Sequence, residues 1–265
     1  MRTISSRQNP LVQAFRELSD APDPADARVL LDGVHLVRDA VRAGLTLEVV
    51  AIGATRLDRA GEERELALAL DAAGADVVAV TDPVLAAMSP VRTPSGVVAI
   101  ARRQVATVAQ LGARPHPLLL VTVDVQDPGN VGSLIRAAEA AGADGALVCG
   151  RSANPFSWKA LRGSMGSALR LPVVAGLTVA DALACLERSG VRTVAAVARD
   201  GEDPDAVDWT GRVAMLIGGE GPGLTADVIA QSHRRVTIPM APAVESLNVA
   251  AAGAILMYAA RRQRR

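Results

Sequence analysis

Short apolar runs alternate with helical patterns along most of this chain, and that alternation most limits what it can fold into. From Leu118 onward the apolar runs predict strands, with helices between most of them. Strands connected in this way form a mainly parallel sheet that is covered on both faces. The sequence therefore predicts an α/β domain built on such a sheet. Its predicted strands are 118–123, 146–148, 173–174, 193–197, 213–217 and 235–237.

The first part of the chain repeats this alternation on a smaller scale. A helix is predicted around 11–18, followed by the proline-bounded linker Ala21-Pro22-Asp23-Pro24. Beyond it the strands are predicted at 29–31, 47–52, 77–80 and 96–101, and the helices at 34–43, 62–73 and 83–88. A second linker is indicated by Gly112, Pro115 and Pro117. We predict a smaller α/β domain over 1–101, with its helix and linker in 1–27, a linker over 102–117, and the larger domain over 118–265.

Composition excludes several classes of protein. No apolar run reaches the roughly 18 residues of a membrane span, and no signal-peptide pattern follows Met1, so we expect a soluble cytoplasmic protein without a membrane partner. Cys149 and Cys185 lie in apolar segments and are interpreted as buried reduced thiols. The three histidines are scattered, so no metal site is expected.

The charge balance by itself gives no sign of a nucleic-acid partner, because the formal net charge is zero. Lys159 is the one lysine among 28 basic residues. Arginine suits phosphate recognition, but such a bias along the whole chain more often reflects coding composition. The aromatic residues are too few and too dispersed for the stacking sheets of single-strand RNA readers.

Three turns of the larger domain carry the candidate site, and the first is Asp127-Pro128-Gly129-Asn130. It follows the strand 118–123, and Pro128 or Asn130 would suit the start of the next helix, 131–141. Backbone N–H groups at such a start attract an anion, and Arg136 lies on the same helix. Taken alone, this turn fits an ordinary connection from strand to helix equally well.

The second and third turns follow later strands. The sequence Gly218-Gly219-Glu220-Gly221-Pro222-Gly223 lets the backbone pass close to a ligand or adopt positive φ. Its spacing is not the dinucleotide fingerprint, which disfavours a nicotinamide-dependent oxidoreductase. The third turn joins Ile238-Pro239-Met240 to Val244-Glu245-Ser246-Leu247-Asn248-Val249, where Ser246 or Asn248 would cap the last helix.

In this order and spacing, the turns resemble the three motifs of the SpoU/TrmH family of S-adenosylmethionine-dependent RNA ribose methyltransferases. Asn130 and Arg136 match the Asn-x₅-Arg core of the first motif, 219–223 matches the second and 238–248 the third. The stretch Asn154-Pro155-Phe156-Ser157-Trp158-Lys159-Ala160-Leu161-Arg162-Gly163-Ser164-Met165-Gly166 resembles the loop and helix on the family's substrate side. Leu31-Asp32-Gly33-Val34-His35-Leu36-Val37 resembles the start of its small substrate-binding domain, which is similar to a ribosomal protein.

The resemblance implies a deep trefoil knot of the SPOUT type in the larger domain, a homodimer, and S-adenosylmethionine as cofactor. It also implies methyl transfer to a ribose 2′-hydroxyl of RNA, with 23S ribosomal RNA favoured because the small domain is typical of relatives that act on rRNA. A tRNA substrate and a non-catalytic RNA-binding or ribosome-assembly protein remain the alternatives.

Site residues are carried over from the resemblance one by one. Arg136 would activate the hydroxyl with help from Ser246, but a guanidinium holds its proton, so stabilisation of the developing alkoxide is an equal interpretation. Asn130 and Asn248 would orient the substrate, and Glu220 would fix its loop or Arg136. The implied cofactor-binding residues are Gly218, Gly219, Gly221, Ile238, Met240, Ser246, Leu247 and Asn248.

Basic residues between the first and second motifs are candidates for RNA binding. Either an RNA track or a solvated face would explain Arg151, Lys159, Arg162 and Arg170. The terminal Arg261-Arg262-Gln263-Arg264-Arg265 is interpreted as a solvated helix end, with RNA contact as the alternative.

Overall fold

The chain divides into two compact units in this computed structural model, which describes residues 1–20 and 22–264. Ala21 of the first predicted linker and Arg265 of the predicted helix end therefore lie outside the described residues. The first unit contains Met1–Gln104 together with Phe156–Arg162, and the second contains Val105–Pro155 and the chain from Gly163.

The first unit is built on a mixed five-stranded sheet with the order β1-β4-β3-β5-β2. The pairs β1–β4 and β3–β4 are parallel, whereas β5 runs antiparallel to both β3 and β2. The strands are β1 (Arg2–Ile4), β2 (Arg28–Asp32), β3 (Thr46–Gly53), β4 (Val77–Val80) and β5 (Val97–Arg102).

Amphipathic helices cover this sheet. Phe15 of α1 is fully buried and packs in one cluster with Leu30, Val78 and Ile100 from three strands. Burial of such side chains is the main favourable term in folding. The helices are α1 (Pro10–Asp20), α2 (Val34–Arg42), α3 (Ala54–Leu57), α4 (Glu62–Ala72) and α5 (Asp82–Met88).

The second unit confirms the predicted parallel sheet. Its six strands are all parallel to their neighbours, in the order β11-β9-β10-β6-β7-β8. Every residue of the central strand β6 is buried, which is expected where helices cover both faces. The strands are β6 (Leu118–Val123), β7 (Gly145–Cys149), β8 (Val173–Leu177), β9 (Arg192–Ala196), β10 (Val213–Gly218) and β11 (Arg234–Val236).

Helices connect these strands and complete the core. Leu119 and Val121 pack with Leu186 on one face of the sheet, while the last helix packs against α7, where Gly253 meets the side chain of Leu134. The helices of this unit are α6 (Val108–Gly112), α7 (Pro128–Ala141), α9 (Ser167–Arg170), α10 (Val179–Arg188), α11 (Ala226–Ala230) and α12 (Val249–Gln263). Helix α8 (Trp158–Ser164) begins in the segment Phe156–Arg162, which belongs to the first unit.

The segment predicted as a linker over 102–117 contains the short helix α6. Thr107 caps this helix, and its exchange of hydrogen bonds with Gln110 forms a complete capping box. Val108 and Leu111 belong to the core of the second unit. A five-residue helix is too short to produce a readable hydrophobic period. The sequence therefore indicated only Gly112, at the end of the helix, and the prolines after it.

The interpretation of the C-terminus as a solvated helix end is wrong for Arg261, Gln263 and Arg264, which are half-buried, and holds for Arg262, which is exposed. Arg261 donates to the Ala140 carbonyl at 3.0 Å, and Arg262 pairs with Asp205. Arg264 Nη1 donates to the carbonyls of Trp209 and Gly211 at 2.6 and 2.8 Å, and its Nη2 donates to His116. Backbone carbonyls outside helices and sheets lack the regular hydrogen-bond donors of those elements. The Arg264 guanidinium provides donors for the carbonyls of Trp209 and Gly211.

The two cysteines have different environments. Cys149 at the end of β7 is buried, as predicted, and burial together with the nearby Asp124 carboxylate raises the pKa of its thiol to about 12. It is therefore no nucleophile at neutral pH. Cys185 is only half-buried, because it lies at the edge of the core on α10, so the prediction of burial is wrong for this residue. Within 1–20 and 22–264, no helix has the length and apolar character needed to cross a membrane.

Candidate active site

The first predicted turn lies directly beyond β6. Asp127 caps α7 by accepting a hydrogen bond from the Asn130 amide at 2.8 Å, and Pro128 occupies the first helical turn. Asp127 is therefore the N-cap, and Pro128 is the first residue of α7, which confirms Pro128 rather than Asn130 at the helix start. As a result, the Asn130 side chain is free to face the other turns.

Glycines of the second turn permit backbone contacts that a side chain would block. A Cβ atom at Gly219 would lie far inside the contact distance of the Asp124 carbonyl oxygen. Gly219 also forms an isolated antiparallel bridge with Gly223, whose φ of 68° is in the left-handed region. The turn thus closes on itself and packs against the end of β6.

The third turn ends at the N-cap of α12. Asn248 Oδ1 accepts hydrogen bonds from the amides of Ala250 and Ala251 at 2.9 and 3.2 Å. Asn248, rather than Ser246, therefore caps the last helix. Ser246 remains exposed beside it.

Hydrogen bonds between side chains join the three turns. Asn130 Nδ2 donates to Glu220 Oε1 at 2.7 Å, and Asn248 Nδ2 donates to Asn130 Oδ1 at 3.3 Å. The second carboxylate oxygen of Glu220 accepts from the Gln126 amide at 3.2 Å. Residues that are widely separated in sequence therefore form one polar cluster.

These contacts set the protonation of Glu220. Burial tends to raise the pKa of its carboxyl, but the hydrogen bond from Asn130 and those from the backbone amides, Gln126 and Asp127 among them, outweigh that effect. The pKa of Glu220 consequently lies below its ordinary value. The carboxylate is charged at neutral pH and acts as an acceptor only.

A pocket of about 480 Å³ lies between the second and third turns. Its volume is within the range of small-molecule sites. The pocket is lined by all eight residues expected to bind the cofactor: Gly218, Gly219, Gly221, Ile238, Met240, Ser246, Leu247 and Asn248.

One part of this lining was not predicted from the sequence. Ala196, Val197 and Ala198 follow the end of β9 and line the same pocket. β9 is the parallel neighbour of β10, and ligands bind at the carboxyl ends of such strands. Only the pairing of β9 with β10 could have predicted these three residues. Their small apolar side chains do not indicate a binding site.

Arg136 is not brought into this pocket or into the polar cluster. It lies six residues after Asn130 on α7, about 9 Å farther along the helix axis. Its side chain is exposed and has no hydrogen-bond or ion-pair partner among the residues the structure describes. The alternative in which Glu220 fixes Arg136 has no contact to support it, because Glu220 contacts the first turn instead.

The predicted RNA-binding residues differ in their charge environment. Arg170 makes two hydrogen bonds with Glu139, at 2.8 and 2.9 Å, and Arg151 lies 3.9 Å from Asp124. Lys159 and Arg162 instead flank the Trp158 ring in the first unit. For the described part of the chain, no group of His, Cys, Asp and Glu side chains could hold a metal ion.

In proteins built on an open parallel α/β sheet, ligands bind in a crevice at the carboxyl ends of the strands. The pocket of this chain lies at that position, so the fold and the site define an α/β protein with a ligand site at the edge of its sheet. Residues 117–258 match the family model described as the SpoU rRNA Methylase family, and residues 9–99 match the MRM3-like substrate binding domain. The chain belongs to the SpoU rRNA methylase family, which confirms the resemblance found in its three turns.

Individual relatives resemble the chain over nearly its full length. An uncharacterized tRNA/rRNA methyltransferase of Synechocystis is 34% identical over 98% of this chain and 94% of its own. The 23S rRNA (guanosine(2553)-2′-O)-methyltransferase of Bacillus subtilis is 27% identical over 97% of this chain and 98% of its own. The solved structure of an AdoMet-bound rRNA methyltransferase from Sinorhizobium meliloti matches with a TM-score of 0.84 and 27% identity, covering 98% of this chain and 97% of that one.

Proposed function

We propose that this protein transfers a methyl group from S-adenosylmethionine to a ribose 2′-hydroxyl of ribosomal RNA, with 23S rRNA as the favoured substrate. The observation that carries the proposal is the pocket formed by the second and third motif turns, joined through Asn130 to the first, in a chain of the SpoU family. The Bacillus relative supports the choice of 23S rRNA by its name. A tRNA substrate is the alternative.

The pocket residues fit S-adenosylmethionine. Apolar side chains such as Ile217, Leu224 and Leu256 offer an adenine-sized surface, while the glycine turn exposes backbone groups for the polar parts of the molecule. We propose that the eight residues from Gly218 to Asn248 named above hold it there. When bound, S-adenosylmethionine supplies an electrophilic methyl group.

The polar cluster would orient the reacting groups. Glu220 holds the Asn130 amide in one orientation, so Asn130 and Asn248 are fixed before substrate arrives. Pre-set positioning of this kind removes about 7–11 kcal/mol from barriers in favourable cases. Ser246 is exposed at the pocket and free to donate to the substrate.

Arg136 would stabilise the alkoxide that develops at the 2′-oxygen. An arginine side chain keeps its proton in proteins, so electrostatic stabilisation explains its role better than proton removal. Arg136 has no acidic partner among the described residues, so its full positive charge is available to RNA. A substrate phosphate or solvent would accept the proton.

RNA binding would involve both units. We propose Arg151, Lys159, Arg162 and Arg170 as phosphate contacts, with a smaller contribution from Arg170 because Glu139 already neutralises it. Residues 1–101 would form the RNA substrate-binding domain and 118–265 the catalytic domain, supported by the two family matches. Within 102–117, α6 would count with the catalytic domain, since Val108 and Leu111 pack there. The rRNA substrate supports a cytoplasmic location.

A trefoil knot and a homodimer complete the proposal. The last segment before α12 lines the same pocket as the second turn and the end of β9, an arrangement compatible with a chain end that passes through a loop. Ile255 and Tyr258 are three residues apart on α12 and 44% and 46% exposed. An exposed apolar pair on one helix face suits a contact with a second copy.

We predict that Ile255→Glu combined with Tyr258→Glu converts the dimer into a monomer, because two charges would have to be buried in the contact. Light scattering after size-exclusion chromatography measures the mass. The control is Leu68→Glu, which changes an equally exposed apolar residue of α4, 52% exposed, and should remain dimeric. A dimeric double variant would place the contact elsewhere.

The reaction is tested with methyl-labelled S-adenosylmethionine and total RNA from cells in which the gene has been deleted. We expect label in the rRNA fraction, at a ribose that blocks primer extension at low nucleotide concentration. Label in tRNA alone would establish the alternative substrate. Absence of S-adenosylmethionine binding in calorimetry would favour a non-catalytic RNA-binding protein.

We predict that Arg136→Ala lowers the transfer rate at least 100-fold and leaves S-adenosylmethionine affinity within about twofold, since a single charge-stabilising group is typically worth 10²–10³ in rate. Single-turnover transfer and calorimetry measure the two effects. Near-normal transfer by this variant would remove Arg136 from the catalytic residues.

A further inference from the structure

Trp158 lies between two cations on the surface of the first unit. It is the first residue of α8 and is only partly buried. Lys159 Nζ lies 5.5 Å and the Arg162 guanidinium 5.9 Å from the centre of its ring. Both distances are near the outer limit of about 6 Å for a cation–π contact, so each cation lies within reach of the ring.

The polar groups of the cluster formed by Trp158, Lys159 and Arg162 have no acidic or hydrogen-bonding partner among the residues that the structure describes. Among residues 1–20 and 22–264, neither cation forms an ion pair and the indole Nε1 has no hydrogen bond. Arg151 and Arg170, by contrast, have acidic neighbours. The cluster therefore combines a partly exposed indole with two positive charges that no carboxylate compensates.

A buried arginine fixes the segment that carries the cluster. Arg103 is 6% exposed, and its guanidinium stacks on the Phe156 ring at 3.7 Å. Its Nη2 donates to the carbonyls of Pro24 and Asp26 at 2.6 and 2.9 Å. The segment Phe156–Arg162 thus belongs to the first unit, whose residues 9–99 match a substrate-binding domain.

We propose that the Trp158 cluster binds one unpaired nucleotide of the RNA, with the base stacked on the indole and the neighbouring phosphates held by Lys159 and Arg162. Stacking on an aromatic ring requires a base outside a duplex, since bases of a helix are stacked on each other. Positive charges beside the ring suit the phosphates of the same strand. The inference deepens the proposed function and rests on it.

Fluorescence separates Trp158 from the other tryptophan. Trp209 is fully buried, and its Nε1 donates to the Pro204 carbonyl, so RNA cannot stack on it. We expect a short single-stranded RNA oligonucleotide to quench the fluorescence of the wild-type protein, and the same strand annealed to its complement to quench much less. In Trp158→Phe the single strand should leave the remaining fluorescence unchanged. Equal quenching by both RNAs, or quenching that persists in Trp158→Phe, would overturn the proposal.

Binding measurements test each part of the cluster. We expect Trp158→Ala to weaken affinity for the single strand about 5- to 100-fold, with a smaller loss in Trp158→Phe because a ring is retained. Lys159→Gln and Arg162→Gln should each lower the slope of log K against log salt by about 0.7, whereas Trp158→Ala should not change it. The control Arg64→Gln removes an exposed arginine of α4 and should match wild type. Unchanged affinity in Trp158→Ala would contradict the proposal.

The enzymatic assay distinguishes this inference from the proposed function. We expect Trp158→Ala to raise KM for rRNA with little change in kcat or in S-adenosylmethionine affinity. If the wild-type protein methylates rRNA and the variant keeps the wild-type KM, the inference fails and the proposed function stands. If the wild type binds single-stranded RNA through Trp158 but methylates no RNA, the proposed function fails and the stacking role stands.

Discussion

At the residue scale, Asn130 is the link between the three turns of the site. Its amide both donates to Glu220 and accepts from Asn248. Among side chains of this length, only an amide offers a donor and an acceptor in fixed positions. An aspartate would repel Glu220, and an alanine would leave both partners without their contact.

The protonation of Glu220 leads to a prediction about pH. Burial tends to raise its pKa, but the hydrogen bonds from Asn130 and the backbone amides lower it in the folded protein. The charged carboxylate therefore stabilises the folded protein fully at pH values above the ordinary glutamate pKa of about 4.3. This stabilisation is lost as the pH falls through the lower pKa of the folded protein. We predict constant S-adenosylmethionine affinity from pH 8 down to the ordinary glutamate value and a decline only as the pH falls through the lower folded value, measured by calorimetry.

Glu220→Gln provides the matched comparison for this pH dependence. The variant keeps a carbonyl acceptor but cannot ionise, so its affinity should be lower at neutral pH and should show less decline in acid. An acid decline of the same size in wild type and variant would mean that another group titrates.

At the element scale, the glycine turn is limited by packing against β6. A side chain at position 219 would collide with the Asp124 carbonyl, and both groups belong to backbone that cannot rotate away. The same turn lines the pocket. The shape of the turn and the position of the pocket are thus set by one close approach between the ends of β6 and β10.

We predict that Gly219→Ala weakens S-adenosylmethionine binding at least tenfold and lowers the free energy of unfolding by about 1–3 kcal/mol, the usual cost of overpacking. Calorimetry and urea denaturation measure these changes. Gly61→Ala is the control, because a Cβ there meets only the end of the Glu63 side chain at 3.4 Å. Wild-type affinity in Gly219→Ala would show that the turn can move without affecting the site.

At the scale of the whole molecule, the end of the chain is tied back to loops that come earlier in sequence. Gln263 Oε1 accepts from the Trp209 amide at 3.0 Å, and its Nε2 donates to the Val207 carbonyl at 2.9 Å. Arg264 adds donors to Trp209, Gly211 and His116. These contacts hold α12, whose first residues complete the pocket.

We predict that Arg264→Ala lowers the free energy of unfolding by about 1.5–3 kcal/mol, as expected for loss of charge-assisted hydrogen bonds to carbonyls that then lack donors. Urea denaturation measures the change. Arg199→Ala, which removes an exposed arginine without a partner among the described residues, should change stability by less than about 0.5 kcal/mol. Equal free energies of unfolding for the two variants would show that Arg264 contributes no more to stability than a solvated arginine.

The sequence by itself determined the parallel sheet, its six strands within a few residues, and the family. Apolar runs of β6 and β10 are buried on both faces, and that burial leaves a pattern that can be read locally. The three turns were readable because glycine, proline and asparagine are chosen for backbone conformation, which is also a local property.

Only the tertiary structure decided which residues meet. The bonds of Asn130 to Glu220 and Asn248 cross 90 and 118 positions. The contacts of Arg264 cross 53 to 148 positions, and the stacking of Arg103 on Phe156 also joins segments far apart in sequence. Their partners are backbone carbonyls or single rings, which impose no periodicity. Residue type and spacing report what each segment does on its own, whereas these contacts depend on where the folded chain brings distant segments together.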